Sequence, residues 1–399
     1  MKLISCQNSN MKEQNQQSTI TEIVERDYKE KLDKRKKEIS YYQEKTEELG
    51  LKSTKRFTEY HPDPSKSMLT GVTFAHRDLE SVVESMANRQ PWAVISGLNP
   101  SGPLHFGHKQ ILEEVLWMQK QGAEVFIPVT NDESYLVGKV KSLSESRKTA
   151  YEKVIPSIIA MGFSPEKTHI FVNSDYPDLY NLAIDISKHL TLNKVYKVFG
   201  FGENEEGENP GTIFYRGGVQ LAQILLPQYE EFGGKKPSIV PVGIDQYPYI
   251  LLARDAALKK GFVPPAATFV KFEEGLDGKG KMSVSRPNSA IFLTDDLENV
   301  KRKIKSAYTG GSPSATFQKE HGGVPEICPI YQLRAYHFTN NNELKEQCST
   351  GNILCGECKK QAVEEVSEYI TEHQTKLSIA KTKINDYLLK KPIKSILTE

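Results

Sequence analysis

Long apolar runs are missing from this 399-residue chain: no window approaches the roughly 18 uninterrupted apolar residues that a bilayer-spanning helix needs, so no membrane partner is expected. Net charge is nearly absent too, since 52 Lys and Arg against 51 Asp and Glu leave +1. The molecule therefore has no overall field that would gather a polyanion, and any nucleic acid must be held by local patches. Cysteine is scarce. Of five cysteines, Cys328, Cys348, Cys355 and Cys358 fall in the last quarter of the chain, which is not how the disulfides of a secreted protein are scattered, and a cytoplasmic location is expected. The opening MKLISC contains a lipoprotein-like LISC, but too few residues precede Cys6 for an apolar signal core.

What is present is 38% hydrophobic and 26% charged residues, an ordinary globular balance that excludes a fibrous or wholly disordered chain. Residues 1–20 are polar and low in complexity and are expected to be disordered. Residues 21–70 read as a helical extension, with a charged helix whose thin apolar stripe runs through Ile23, Tyr28, Leu32 and Ile39. That helix is either an exposed arm or a contact for RNA or a second subunit. From about residue 91 to 271 short strands (WAVISG, AEVFIPVT, THIFVNS, SIVPVG) alternate with helical segments, the pattern of a parallel sheet wound by helices. After about residue 299 the strand signals stop and helices follow. The expected fold class is thus α/β, with a Rossmann-like catalytic domain at 71–300, a C-terminal α-helical domain at 301–399 and an N-terminal helical arm.

Two segments carry the chemistry. In SGLNPSGPLHFGH a strand ends near Ser96, a Gly/Pro/Ser loop turns, and His105 and His108 stand where a helix opens, with Gly107 between them. Helix-start N–H groups favour anions, and imidazoles beside them can donate to phosphate oxygens whose charge grows during attack at phosphorus. HxGH alone is equally a capped helix with two surface histidines. The second segment is LDGKGKMSVSRPNSAIFLTDD, where Lys279, Lys281, Ser283 and Ser285 share a loop kept mobile by Gly278 and Gly280. Such a loop is a solvated turn or a cradle for a triphosphate.

Together, HFGH at 105–108 and KMSVS at 281–285 resemble the two signatures of class I aminoacyl-tRNA synthetases, HUP-type Rossmann enzymes. FAHRD at 74–78, FGF at 199–201, GIDQYPY at 243–249, TGG at 309–311 and GECKK at 356–360 are similar to the archaeal and eukaryotic branch of tryptophanyl-tRNA synthetases. The resemblance implies activation of an amino acid by ATP with Mg²⁺, transfer to tRNA, and a homodimer. His105, His108 and Lys281 would be catalytic. Pro100, Gly102, Gly107, Gly243, Met282, Ser283 and Ser285 would complete the ATP site, and residues 301–399 would read the anticodon.

The same resemblance implies that Glu133, Gln220 and Gln246, with Asp245 beside them, bind the amino acid. Ile95 and Pro128 stand where the family commonly has a tyrosine and a glutamine for the indole N–H, so the substrate is tryptophan or another amino acid. A synthetase-like paralogue that does not charge tRNA is the alternative reading. The run C-x19-C-x6-C-x2-C from Cys328 to Cys358 suits Zn²⁺ or an iron–sulfur cluster as well as unligated thiols. It is similar to the signature of family members that hold a [4Fe-4S] cluster. Residues 376–399 carry six lysines against one aspartate and one glutamate, a candidate tRNA patch.

Overall fold

The structure, a computed structural model, describes the backbone of residues 2–200, 208–339 and 341–398, and side chains from Glu22 to Ile396 within those ranges. The side chains of residues 1–20 and the Phe201 end of the FGF motif lie outside the described residues.

Strand formation follows β-branched and aromatic runs that end at Gly, Pro or a helix cap. Among the described residues seven strands result: β1 (Lys52–Ser53), β2 (Thr73–Arg77), β3 (Ala93–Ile95), β4 (Glu124–Val129), β5 (Thr168–Val172), β6 (Ser238–Gly243) and β7 (Ala266–Val270). They lie in one sheet in the order β1-β2-β7-β6-β3-β4-β5. β3, β4, β5, β6 and β7 are mutually parallel, whereas β2 runs antiparallel to β7 and β1 antiparallel to β2. Every residue of β3 and β7 is buried, as strands covered by helices on both faces require. This is the expected Rossmann-like sheet, with β1, β2 and β7 added to the four strands legible from the sequence. From β3 the chain builds outward to β4 and β5, then returns to place β6 on the other side of β3. Strand order therefore reverses between β3 and β6, and a crevice opens beyond their carboxyl ends.

Contacts divide the chain into two compact units. The sheet unit comprises residues 51–272, 284–295 and 369–399. Its C-terminal stretch is tied in by main-chain groups: the Tyr387 hydroxyl donates to the Phe163 carbonyl (2.8 Å), the Leu389 N–H to Ile170 (2.8 Å), and the Tyr176 hydroxyl to Lys391 (2.7 Å). The helical unit comprises residues 1–50, 273–283 and 296–368. It holds the N-terminal helix Lys2–Glu48 and the helices Leu297–Ser306, Ala315–His321, Pro329–His337 and Asn341–Ser349. The N-terminal helix packs through Val24, Tyr28, Lys31 and Arg35, so the predicted stripe holds at Tyr28 and the half-buried Leu32 but not at Ile23 and Ile39, which are 48% and 41% exposed. Its inward face is largely polar, a pattern that hydrophobic periodicity does not detect.

One buried polar cluster in the sheet unit makes stability depend on pH. Lys109 is buried on the helix Phe106–Lys120, with its ammonium 4.4 Å from the Tyr369 ring, and His373 lies stacked against that ring (5.8 Å between centroids). Burial first, then the positive charges of Lys109 and Lys376, lower the His373 pKa from 6.5 to about 4. The folded chain releases a proton that the unfolded chain keeps, so this contribution is complete above pH 6.5 and is lost as the pH falls through about 4. Urea midpoints of His373→Leu and the parent chain, measured at pH 7 and pH 5, should show a smaller acid-induced drop in the variant.

Candidate active site

The HFGH turn follows β3 at the strand-order reversal. Main-chain pairing fixes its course: the Phe106 N–H donates to Ile291 (3.2 Å) and the Leu293 N–H to Leu104 (2.9 Å). The segment just after KMSVS thus lies antiparallel to the helix start. His105 is the N-cap of the helix Phe106–Lys120 and is buried, not a surface histidine. Its backbone N–H donates to His108 Nδ1 (3.2 Å), and the two rings are 3.9 Å apart at 34°. A ring that accepts at Nδ1 carries its neutral-state proton at Nε2, so His108 offers a donor there. Pro100 is buried and Gly107 half-buried in the same turn. At Gly102 a Cβ would lie 2.6 Å from Val284 Cγ1, so glycine is required where the fourth residue of KMSVS meets the turn.

The loop after β3 continues to pair with β4, through the Leu98 N–H to Pro128 (2.9 Å) and the Thr130 N–H to Leu98 (2.9 Å). That pairing sets Asn99 beside Glu133. Glu133 Oε2 accepts from Asn99 Nδ2 (3.2 Å) and Thr130 Oγ1 (2.8 Å), while the Ser134 hydroxyl donates to Asn99 Oδ1 (2.6 Å). Asp132 next to it is buried, held by Asn173 (2.7 Å) and the Tyr180 hydroxyl (2.9 Å), and burial raises its pKa. Ile95 and Pro128 are buried on neighbouring strands and offer only apolar side chains. Pro128 Cγ lies 3.6 Å from the position of a Cβ on Gly97.

Opposite them, β6 ends at Gly243, where a Cβ would stand 2.6 Å from Phe272 and 2.7 Å from Asp245 Oδ1. The turn Ile244–Gln246 leads into the helix Tyr247–Lys260, and Gln220 Nε2 donates to Gln246 Oε1 (3.2 Å). Gln220 Oε1 is buried with no hydrogen-bond partner among the described residues. The FAHRD segment braces this end: Arg77 donates to the Tyr247 hydroxyl (2.7 Å) and Arg254 pairs with Asp78 (2.5 Å). Sequence reasoning missed Asn99, Tyr215 and Tyr249. Both phenols are buried, and burial followed by the Glu133 carboxylate raises their pKa values. The Asn-Pro after a strand was the only local cue to Asn99; Tyr249 closes the GIDQYPY motif without being given a role there, and nothing in the sequence singles out Tyr215.

Lys281, Met282 and Ser283 belong to the helical unit, whereas Ser285 belongs to the sheet unit. Residues 273–283 form a small antiparallel hairpin in which Glu274 bridges Lys281 and the Met282 N–H donates to Glu273 (3.2 Å). Lys281 is exposed and Met282 buried. Gly278 and Gly280 turn the hairpin with φ of +67° and +87°.

Also in the helical unit, Cys328, Cys348, Cys355 and Cys358 line one cavity with Thr309 and Gly311. The TGG motif serves this cluster: a Cβ on Gly311 would stand 2.2 Å from Cys355 Sγ, and one on Gly310 2.0 Å from the Val324 carbonyl oxygen. Burial and neighbouring thiols push the Cys328 pKa up to about 11, and Arg334, paired with Glu365, donates to Cys358 Sγ (3.5 Å). Among the described residues, no three or more His, Cys, Asp or Glu side chains are arranged to hold a metal ion. No described helix is long and apolar enough to cross a membrane.

The family model for class I tRNA synthetases of the W and Y type matches residues 87–371. This chain belongs to that family. It is 38% identical over 327 residues to the tryptophan–tRNA ligase of Pyrobaculum calidifontis, covering 80% of this chain and 85% of that one. The tryptophan–tRNA ligase of Methanocaldococcus jannaschii is 39% identical over 320 residues, 78% and 85% of the two chains. The crystal structure of tryptophanyl-tRNA synthetase from Aeropyrum pernix superposes with a TM-score of 0.79 at 34% identity, over 88% of this chain and 97% of the other. As a class I synthetase, the chain places HFGH and GIDQ at the two strand ends that bound the crevice. Gly243→Ala, which has no space for its methyl, should cost about 1–3 kcal/mol by urea unfolding. Gly97→Ala, where the nearest atom lies 3.6 Å away, should cost less.

Proposed function

We propose that the chain is a tryptophan–tRNA ligase, joining tryptophan to ATP as an enzyme-bound adenylate with release of pyrophosphate and then passing the acyl group to the 3′ end of a tRNA. The observation that carries this reading is the pairing of residues 104–106 with 291–293, which holds buried His105 against half-buried His108 on a helix start at the strand-order reversal. Relatives covering about four-fifths of the chain are tryptophan–tRNA ligases. No covalent enzyme intermediate is needed, so the protein supplies position and charge stabilisation. His108 Nε2 and His105 donate to oxygens of the α-phosphate as carboxylate attack builds charge there. Gly107 admits the adenine, with Pro100, Gly102 and Gly243 shaping the nucleotide's surroundings. Lys281, Met282, Ser283 and Ser285 hold the β- and γ-phosphates. Mg²⁺ accompanies the ATP and neutralises phosphate charge.

The amino group is assigned to Glu133, which Asn99 and Thr130 orient, and to the buried acceptor of Gln220, which Gln246 holds. Asp245 lies beside them. Ile95 and Pro128 form apolar walls suited to the flat face of an indole. Residues 301–368 and the exposed lysines 381, 383, 390 and 391 are assigned to tRNA, and the active form to a cytoplasmic homodimer. For the cysteines, four thiols line one cavity, the donor type and number of a [4Fe-4S] cluster with Zn²⁺ as the alternative, although they do not converge as a metal-binding group among the described residues. A bound cluster would neutralise thiolate charge and cross-link the helices there. Cys328, Cys348, Cys355 and Cys358 would be its ligands.

ATP–pyrophosphate exchange with each amino acid separately should depend on tryptophan; exchange with another amino acid alone, or with none, would reject the reading. Lys281→Ala should lower the exchange rate by about 100-fold or more while changing tryptophan binding little, because its interaction strengthens as pyrophosphate leaves. Glu133→Gln should instead raise the KM for tryptophan by about tenfold, as loss of one charged hydrogen bond predicts. Iron, sulfide and zinc assays on anaerobically purified protein test the cysteine assignment, which fails if all three are absent.

A further inference from the structure

The hairpin at residues 273–283 is short, has two positive-φ glycines at its turn and is too small to hold its shape alone. Its anchors within the helical unit include the Glu274 N–H, which donates to Gln332 Oε1 (2.8 Å), and the Leu276 carbonyl, which accepts from the Tyr308 N–H (2.8 Å). Two ammonium groups of the N-terminal helix complete the support. Lys34 donates to Glu274 Oε1 (2.9 Å) and to the Gly278 carbonyl (3.0 Å), with its Nζ 5.3 Å from the centre of the Tyr308 ring. Lys31, 7% exposed, donates to the Gly311 carbonyl (2.5 Å) and to Asp27 (2.7 Å), its Nζ 5.7 Å from the same ring. The ring itself lies so close to the turn that a Cβ on Gly278 would stand 2.7 Å from Tyr308 Cγ. One side of the turn is thus covered by an aromatic face, and its carbonyl is held by a charged donor.

We propose that the N-terminal helix is a positioning element for the Lys281 hairpin, with Lys34 as the latch that fixes the turn and Lys31 as the anchor that fixes the helix to the TGG segment. The proposal rests on reading Lys281 as a phosphate-binding group. A charged donor to a turn carbonyl and a neighbouring carboxylate restrains a glycine turn far more than side-chain packing would, because glycine itself supplies none. Lys34 touches no reacting atom in this scheme; it acts through the hairpin.

The test uses the full-length chain and two independent readouts. Hydrogen–deuterium exchange without ligand compares the parent chain with Lys34→Met, which keeps the aliphatic stem but loses the donor, and with Lys34→Arg, which keeps the charge. Lys34→Met should exchange the hairpin amides about tenfold faster while the helix Pro329–His337 is unchanged, and Lys34→Arg should recover most of the protection. In ATP–pyrophosphate exchange Lys34→Met should raise the KM for ATP about tenfold and leave the KM for tryptophan unaltered. Unchanged hairpin protection, or an equal rise in both KM values, would overturn the proposal. If Lys34→Met loosens the hairpin but the parent chain shows no tryptophan-dependent exchange, the latch stands and the phosphate role of Lys281 falls. Lys34→Gln serves as a second neutral variant should Lys34→Met aggregate, and the same outcomes decide.

Discussion

Two main-chain hydrogen bonds between residues 104–106 and 291–293 are the constraint on which the candidate active site depends. They set the helix start, and with it the direction in which His105 and His108 point, by pairing it with a segment nearly two hundred residues later in the chain. Main-chain pairing is indifferent to side-chain identity, so the turn is free to fill its positions with what the chemistry needs: a proline, glycines and imidazoles. Its consequence is the demand for glycine at Gly102, where Val284 leaves no space for a methyl. The parallel sheet supplies the other half of the geometry, because strand order reverses at the place where two loops can leave in opposite directions.

Around that crevice the polar groups are arranged before any ligand arrives. Asn99 serves as a hinge pin: its amide donates to Glu133 and accepts from Ser134, so one side chain from the β3 loop orients a carboxylate on the short helix Asn131–Leu136 after β4. The buried phenols of Tyr215 and Tyr249 stay protonated beside that carboxylate, since burial and its charge both oppose ionisation. A site built this way does not have to reorganise as charge develops, and that is the main way a synthetase without a covalent intermediate lowers its barrier.

The helical unit obeys a different rule, close approach through glycine. Gly310 and Gly311 let backbone and thiols come within distances that any side chain would block. The same segment receives the buried ammonium of Lys31, so the cysteine cavity and the N-terminal helix share one backbone support. Lys34, one turn along, holds the hairpin instead. A helix whose inward face is made of lysine, tyrosine and arginine is specific in a way an apolar stripe is not, because each buried charge must find its partner.

The sequence by itself determined the sheet and its chemistry. Short apolar runs bounded by Gly, Pro or a charged helix located β3, β4, β5 and β6, and the signature residues HFGH, KMSVS and GIDQ stand in the loops that follow those strands or in the hairpin. Only the tertiary structure decided that β2 and β7 join the sheet, that residues 369–399 pack with it, and that the N-terminal helix turns Lys31 inward while Ile23 and Ile39 face out. It also decided the company of Glu133, since Asn99, Tyr215 and Tyr249 come from three separate segments. The reason is physical: local patterns report on hydrogen bonds and burial within one element, whereas partners brought together by strand order and buried polar pairing leave no periodic trace in the chain.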